Sequence, residues 1–169
     1  DVQRPDYARI GYAKGVPMGG ELMTAPAGKA PRFMVVAARD PDEANLDRVQ
    51  IIKGWLDARG ETHEKIYDVA LSDGRRADPK TGKAPSVGST VDVPNATYTN
   101  SIGDPELAKV WTDPDFDPKL RAFYYVRVLE IPKPRWTAYD VQFYGATPPA
   151  NIPMLVQDRA YSSPIWYQP

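Results

Sequence analysis

The chain has 169 residues, enough for one domain with a buried core. Its composition, 42% hydrophobic and 25% charged, is that of a globular domain, and a net charge of -1 excludes the basic excess of a phosphate-backbone binder. Having no cysteine, it forms no disulfide or thiolate metal site, and no apolar run approaches the ~18 residues needed to cross a bilayer. Proline is the outlier, with 18 residues, about twice the usual share. Proline breaks helices and central strands, which predicts short strands joined by ordered, extended loops.

From the N-terminus, Asp1-Val2-Gln3-Arg4 is polar with no apolar run behind it, so no leader peptide is read there. A processed protein and an excised fragment both fit a start without Met. Gly15, Pro17, Gly19, Gly20, Pro26, Gly28 and Pro31 make residues 1–31 loop-like. Tyr7, Tyr12, Met18, Leu22 and Met23 are too apolar for a free linker and suggest an extended arm, packed on this domain or on an absent upstream one. Phe33 to Ala38 is a short strand, followed by a turn over residues 40–45. Val49 to Leu56, the turn Asp57-Ala58-Arg59-Gly60, and Thr62 to Leu71 form a hairpin, with Gly at the turn position that takes positive φ.

Residues 72–85 read as a polar loop, followed by short strands near 90–93 and 96–99. Asp104 to Trp111 is predicted helical: Asp104 suits the N-cap, Pro105 the first turn and Glu106 the positive end of the dipole. Asp117-Pro118-Lys119-Leu120 is a turn leading into a strong strand, Phe123 to Glu130. A Pro-rich excursion over 131–160 holds a further strand at Tyr139 to Tyr144, and Ser162 to Tyr167 is the last strand, pairing with Phe123 to Glu130. The resulting fold is mostly β: an immunoglobulin-like β-sandwich over 32–169, with long Pro-rich loops and one or two short helices. Tyr124 takes the corner-tyrosine position.

Few residues of the chain fall into a pattern that carries chemistry. His63 is the single histidine and lacks His or Cys partners at metal-ligand spacing. Asp113-Pro114-Asp115-Phe116-Asp117 alternates three carboxylates, which fits either turn starters and caps or an oxygen-rich Ca²⁺ loop, though the Gly and late Glu of an EF-hand are missing. No phosphate loop or nucleophile elbow occurs. The richest segment is Lys133-Pro134-Arg135-Trp136-Thr137-Ala138-Tyr139-Asp140. Arg135, Trp136, Tyr139 and Asp140 are candidate residues for an anionic or sugar-like ligand or for a domain interface. The alternative is structural, with Trp136 and Tyr139 plugging a core edge and Arg135 paired to Asp140.

Several phrases resemble a known family: Val49 to Trp55, Glu61 to Ala70, Trp111 to Pro118, Arg121 to Glu130, Pro134-Arg135-Trp136-Thr137, and Arg159 to Tyr167. Together, in this order, they are similar to the C-terminal part of the bacterial domain-of-unknown-function family 3604. The resemblance implies a parent several times longer, whose N-terminal part looks like a PHP-type metal-dependent hydrolase and whose divalent metals sit on a His- and Asp-rich cluster. It also implies an exported or periplasmic setting for many members. With one histidine this chain holds no such cluster, so no catalytic, cofactor or metal residue carries over. It reads as an accessory domain whose partner is the absent catalytic domain, with no nucleic acid and no membrane.

Overall fold

The protein is described by a computed structural model covering residues 2, 4–23, 28–148 and 150–169. Asp1, Gln3 and the loop breaker Pro26 lie outside the described residues. In chain order the elements are α1 (Tyr7–Lys14), β1 (Glu21–Leu22), β2 (Arg32–Ala38), β3 (Leu46–Leu56), β4 (Thr62–Leu71) and β5 (Glu106–Thr112). They continue with β6 (Ala122–Glu130), β7 (Lys133–Pro134), α2 (Trp136–Tyr144), β8 (Leu155–Val156), β9 (Arg159–Tyr161) and β10 (Ile165–Tyr167). The fold is mostly β and sandwich-like.

The main sheet runs β1-β10-β6-β3-β4, with β9 alongside β10 on the same edge of β6. A two-stranded ribbon of β2 and β5 forms the second layer, and β7 and β8 make a small separate pair. The hairpin β3–β4 forms where it was predicted. Asp57 organises its turn by accepting from the amides of Arg59 and Glu61, and Gly60 takes φ 79°. Strand alternation then divides β3. Val49 and Ile51 face the ribbon with Tyr124, Val69, Phe33 and Leu107, and these residues are the buried core. Residues Gln50, Ile52 and Gly54 face the other way.

The last strand pairs with β6 as expected, through Ile165↔Tyr124, Trp166↔Phe123 and Tyr167↔Ala122. Tyr167 is buried, lies edge-on to Phe116 and donates its hydroxyl to the Pro118 carbonyl. The described part of the 1–31 region is not all loop. It holds α1, whose Ile10 is buried, and β1, which runs parallel to β10.

Three predicted segments differ from the structure. Residues 104–111 carry helix-start signals, yet Glu106 to Thr112 form β5, paired residue for residue with β2. Asp104 instead exchanges backbone hydrogen bonds with Leu46. Burying Leu107 and Trp111 on the ribbon's inner face outweighs a local cap preference worth about 1 kcal/mol. Residues 139–144, aromatic and β-branched, belong to α2. Gly145 ends that helix in the left-handed region at φ 61°, and the buried Thr137 and Ala138 anchor its first turn. Residues 90–99 form a turn closed by one bridge, Asp92↔Thr97, in place of two strands.

Gly54 is needed for a spatial reason. A Cβ there would overlap the Phe123 ring, which lies across the strand. Gly54→Val is therefore expected to destabilise the fold by about 1–3 kcal/mol through overpacking. Chemical denaturation checks this, and an unchanged midpoint would mean that the Phe123 ring moves aside freely. Removing residues 165–169 strips the neighbour of β6 and the Tyr167 anchor. Loss of the cooperative transition is the expected outcome of that truncation.

Candidate functional site

Four polar clusters stand out, and three of them are closed on themselves. The first lies between the layers. Lys53 and Lys65 are direct cross-strand partners on one face of β3–β4. Like charges at such positions repel. The loop after β5 answers both. Asp113 accepts from Lys53 at 2.6 Å and from the Tyr124 hydroxyl at 2.8 Å, while Asp115 accepts from Lys65 at 2.5 Å and from the Tyr67 hydroxyl at 2.7 Å. Lys53 also donates to the Asp115 carbonyl and lies 5.3 Å from the Trp55 ring centroid. Asp117 caps the next turn through the Lys119 amide. Protein donors thus engage all three alternating carboxylates.

Burial, then the hydrogen bond to Asp113, pushes the Tyr124 phenol well above its ordinary value; burial, then the bond to Asp115, does the same for Tyr67. Hydrogen bonds from Lys65 and then Tyr67 lower Asp115. Tyr124 spends its hydroxyl on a carboxylate, where a corner tyrosine bonds to backbone.

The second cluster surrounds Asp47, which is 1% exposed. Arg75 reaches it at 2.6 Å, Arg48 at 3.0 Å and Gln157 at 3.2 Å, tying together the loop after β4, β3 and the segment before β9. The third is the β3–β4 turn, where Asp57, Glu61 and His63 bring their ligand atoms within 4.8 Å of one another. Sequence spacing did not suggest this trio; only the hairpin register makes neighbours of residues 57 and 63. Arg59 supplies the positive charge here, 2.8 Å from Glu61 and 3.6 Å from Asp57. His63 stacks on Trp55 and bonds to Asp57 at 3.0 Å. That bond is the main reason Asp57 lies below the usual carboxylate range.

The fourth cluster underlies the segment singled out by sequence. Lys133 of β7 meets Glu43 at 2.5 Å, Asp158 at 2.9 Å and Glu130 at 3.2 Å. One ammonium thus serves three carboxylates. Burial works against the charge on Lys133, but the hydrogen bonds to Glu43, Asp158 and Glu130 outweigh it and raise the group. For Glu130 the balance is reversed. Burial raises it more than Lys133 lowers it, and its Oε2 atom is buried without a well-directed hydrogen bond, although Lys133 is within ion-pair distance. Glu130 and Asp158 also line a cleft of about 1170 Å³, with Tyr7, Ile10, Met34 and Val126.

Above this base sits α2. The helix exposes Trp136 (60%), Tyr139 (46%), Phe143 (78%) and Tyr144 (73%). Positions 136, 139 and 143 fall along one side of a helix. Trp136 and Tyr139 therefore do not plug a core edge. The Arg135 guanidinium stacks over the Trp136 ring at 5.0 Å, and Asp140 is exposed. The structure brings Arg135 and Trp136 together; no hydrogen bond or ion pair joins Arg135 to Asp140 among the described residues. Phe143 and Tyr144, edge to face at 4.9 Å, were missed as surface residues because a strand reading sends alternate side chains to opposite faces.

The chain belongs to the family described as protein of unknown function DUF3604, whose family model matches residues 1–169. No curated protein and no solved structure matches it. Among the described residues no helix is long and apolar enough to cross a membrane.

The Glu130 environment has a pH signature. An acid whose folded value is raised leaves folding most favourable below its unfolded value, here 4.5, and the contribution is lost as pH rises through the folded value. Glu130→Gln should therefore flatten the dependence of melting temperature on pH from about 4.5 upward. Identical slopes in variant and parent would show that Glu130 does not carry this dependence.

Proposed function

We propose that the chain is a non-catalytic accessory domain of a larger protein, a metal-dependent hydrolase of PHP type, and that α2 is the face by which it docks on the catalytic part. The observation that carries this reading is the helix itself. Trp136, Tyr139, Phe143 and Tyr144 sit largely in solvent on an element held in place by buried Thr137 and Ala138 and by the Lys133 cluster below. Large aromatics on a rigid support are the residues that dominate protein interfaces, and nothing in the fold of this chain alone requires them to be exposed. The closed charge clusters support the same reading. Asp47, Asp113 and Asp115 each have cationic partners already and spend their charge on joining loops to the sheet.

Two measurements test it. With added Mn²⁺ or Zn²⁺ the 169-residue chain should hydrolyse neither phosphate esters nor carboxylic esters above the buffer rate. Metal-dependent turnover by this chain would refute the accessory role. Mixed with the separately produced N-terminal region of its parent, the chain should bind, and the paired substitution Trp136→Ala with Phe143→Ala should weaken binding by about 2 kcal/mol or more. Equal affinity of variant and parent would remove α2 from the interface.

A second reading makes the same helix a ligand site, with the Arg135–Trp136 stack and Tyr139 holding an anionic or sugar-like molecule. The stack favours it, since Arg135 has no carboxylate partner among the described residues. Quenching of tryptophan fluorescence by such ligands, lost in Trp136→Ala, is the expected sign. A silent titration speaks for docking instead.

A further inference from the structure

The open face of the main sheet, away from the β2–β5 ribbon, has had no role so far. We propose that it is a binding surface for a neutral oligosaccharide built of pyranose units.

The residues are placed there by register. Phe123 and Tyr125 are two apart on β6 and share a face. Trp166 is paired with Phe123 from β10, and Tyr161 is paired with Arg127 from β9. The four rings form one continuous row. Trp166 lies 5.2 Å from Phe123, Phe123 is 6.3 Å from Tyr125 and within 13° of parallel to it, and Tyr125 is 6.4 Å from Tyr161. Phe123 lies down over Gly54, the residue that lacks a Cβ to prop it up. Trp166 (46%), Tyr161 (57%) and Ile66 (46%) are each about half exposed on this side, while Phe123 and Tyr125 are partly buried and cover the buried Ile52 and Gln50.

Charged groups of both signs border the row. Arg127 follows Tyr125 at the next same-face position, Glu64 is opposite Gly54, Glu21 is opposite Trp166, and Arg159 is opposite Leu129. Arg127 donates through Nε to Gln50, which in turn donates to Asp68. The two terminal nitrogens of Arg127 have no protein acceptor among the described residues.

This combination selects the ligand. A protein interface concentrates aromatics at a core depleted of charge. Here Arg127 sits within the row, paired with Tyr161, and Glu21 and Glu64 flank it. A nucleic acid would need a basic excess that a chain of net charge -1 lacks, and the charged groups on this face carry both signs. A pyranose presents an apolar face of C–H groups and a rim of hydroxyls. The face stacks on an aromatic ring, while the rim requires interspersed donors and acceptors. Successive rings separated by about the length of one sugar unit hold consecutive units of a chain.

The surface uses none of the α2 residues, so it stands or falls independently of the docking reading. The test is isothermal titration of the 169-residue chain with cellohexaose, xylohexaose, maltohexaose and mannohexaose. At least one should bind saturably. Tyr161→Ala and Trp166→Ala should each weaken that binding about tenfold, the scale of one lost stacking contact. Trp136→Ala should leave it unchanged. Trp166 also packs on Phe123, so melting temperatures accompany each variant, and Tyr161, the more exposed ring, gives the reading that does not depend on folding. The proposal is overturned if none of the four sugars titrates, or if binding survives both substitutions. It is also overturned if sedimentation shows a dimer that Trp166→Ala dissociates.

Discussion

Two lysines set side by side across a hairpin define the architecture. Lys53 and Lys65 face each other in the β3–β4 register, and an uncompensated pair would push the strands apart. The loop leaving β5 supplies Asp113 to the first and Asp115 to the second. Because β5 belongs to the ribbon and β3–β4 to the main sheet, this contact joins the two layers. A buried ion pair gains little over an apolar contact of the same shape, since desolvation offsets most of the attraction. Its consequence is geometric: one placement of the loop satisfies both lysines. That placement also sets Phe116 against Tyr167 and the Pro118 carbonyl against the Tyr167 hydroxyl, so the last strand docks on a loop already positioned by charge.

The same economy explains why functional candidates lie at the periphery. Inside, Asp47, Asp113 and Lys53 are nearly inaccessible and fully engaged, and they act as staples. Besides Tyr12 on α1, the exposed aromatics among the described residues lie on α2 and on the open face of the main sheet. These differ in character. On α2 the aromatics stand close together with Asp140 as the one acid among them, which suits a protein partner. On the sheet the rings are bordered by Arg127, Glu64 and Glu21, which suits a polar ligand with one apolar face.

Much of the fold was legible in the sequence because local signals and tertiary burial agreed. The hairpin 49–71 and the strand 123–130 alternate cleanly, and the closing strand pairs with the latter as its apolar residues suggested. Where the two disagreed, burial won. Asp104-Pro105-Glu106 has the chemistry of a helix start, but Leu107 and Trp111 complete the ribbon. Tyr139 to Tyr144 has strand composition, but the helix is set by Gly145 and by the two small side chains buried at its start. The candidate residues Arg135, Trp136, Tyr139 and Asp140 were legible as a concentration of unusual types. Their arrangement was not, because a stripe at positions 136, 139 and 143 exists only once the segment is helical. The aromatic row across β6, β9 and β10 was beyond sequence reasoning, since it joins residues about forty apart through register.

The most direct test of this account is a double-mutant cycle on Lys53 and Asp113, read by urea denaturation. Lys53→Met and Asp113→Asn should each cost about 3–5 kcal/mol, because either leaves a buried charge without its ionic partner. The double variant should cost much less than their sum, since it leaves no orphan charge. Two small, additive effects would mean that the layers are held together by apolar packing alone and that the paired lysines do not set the register.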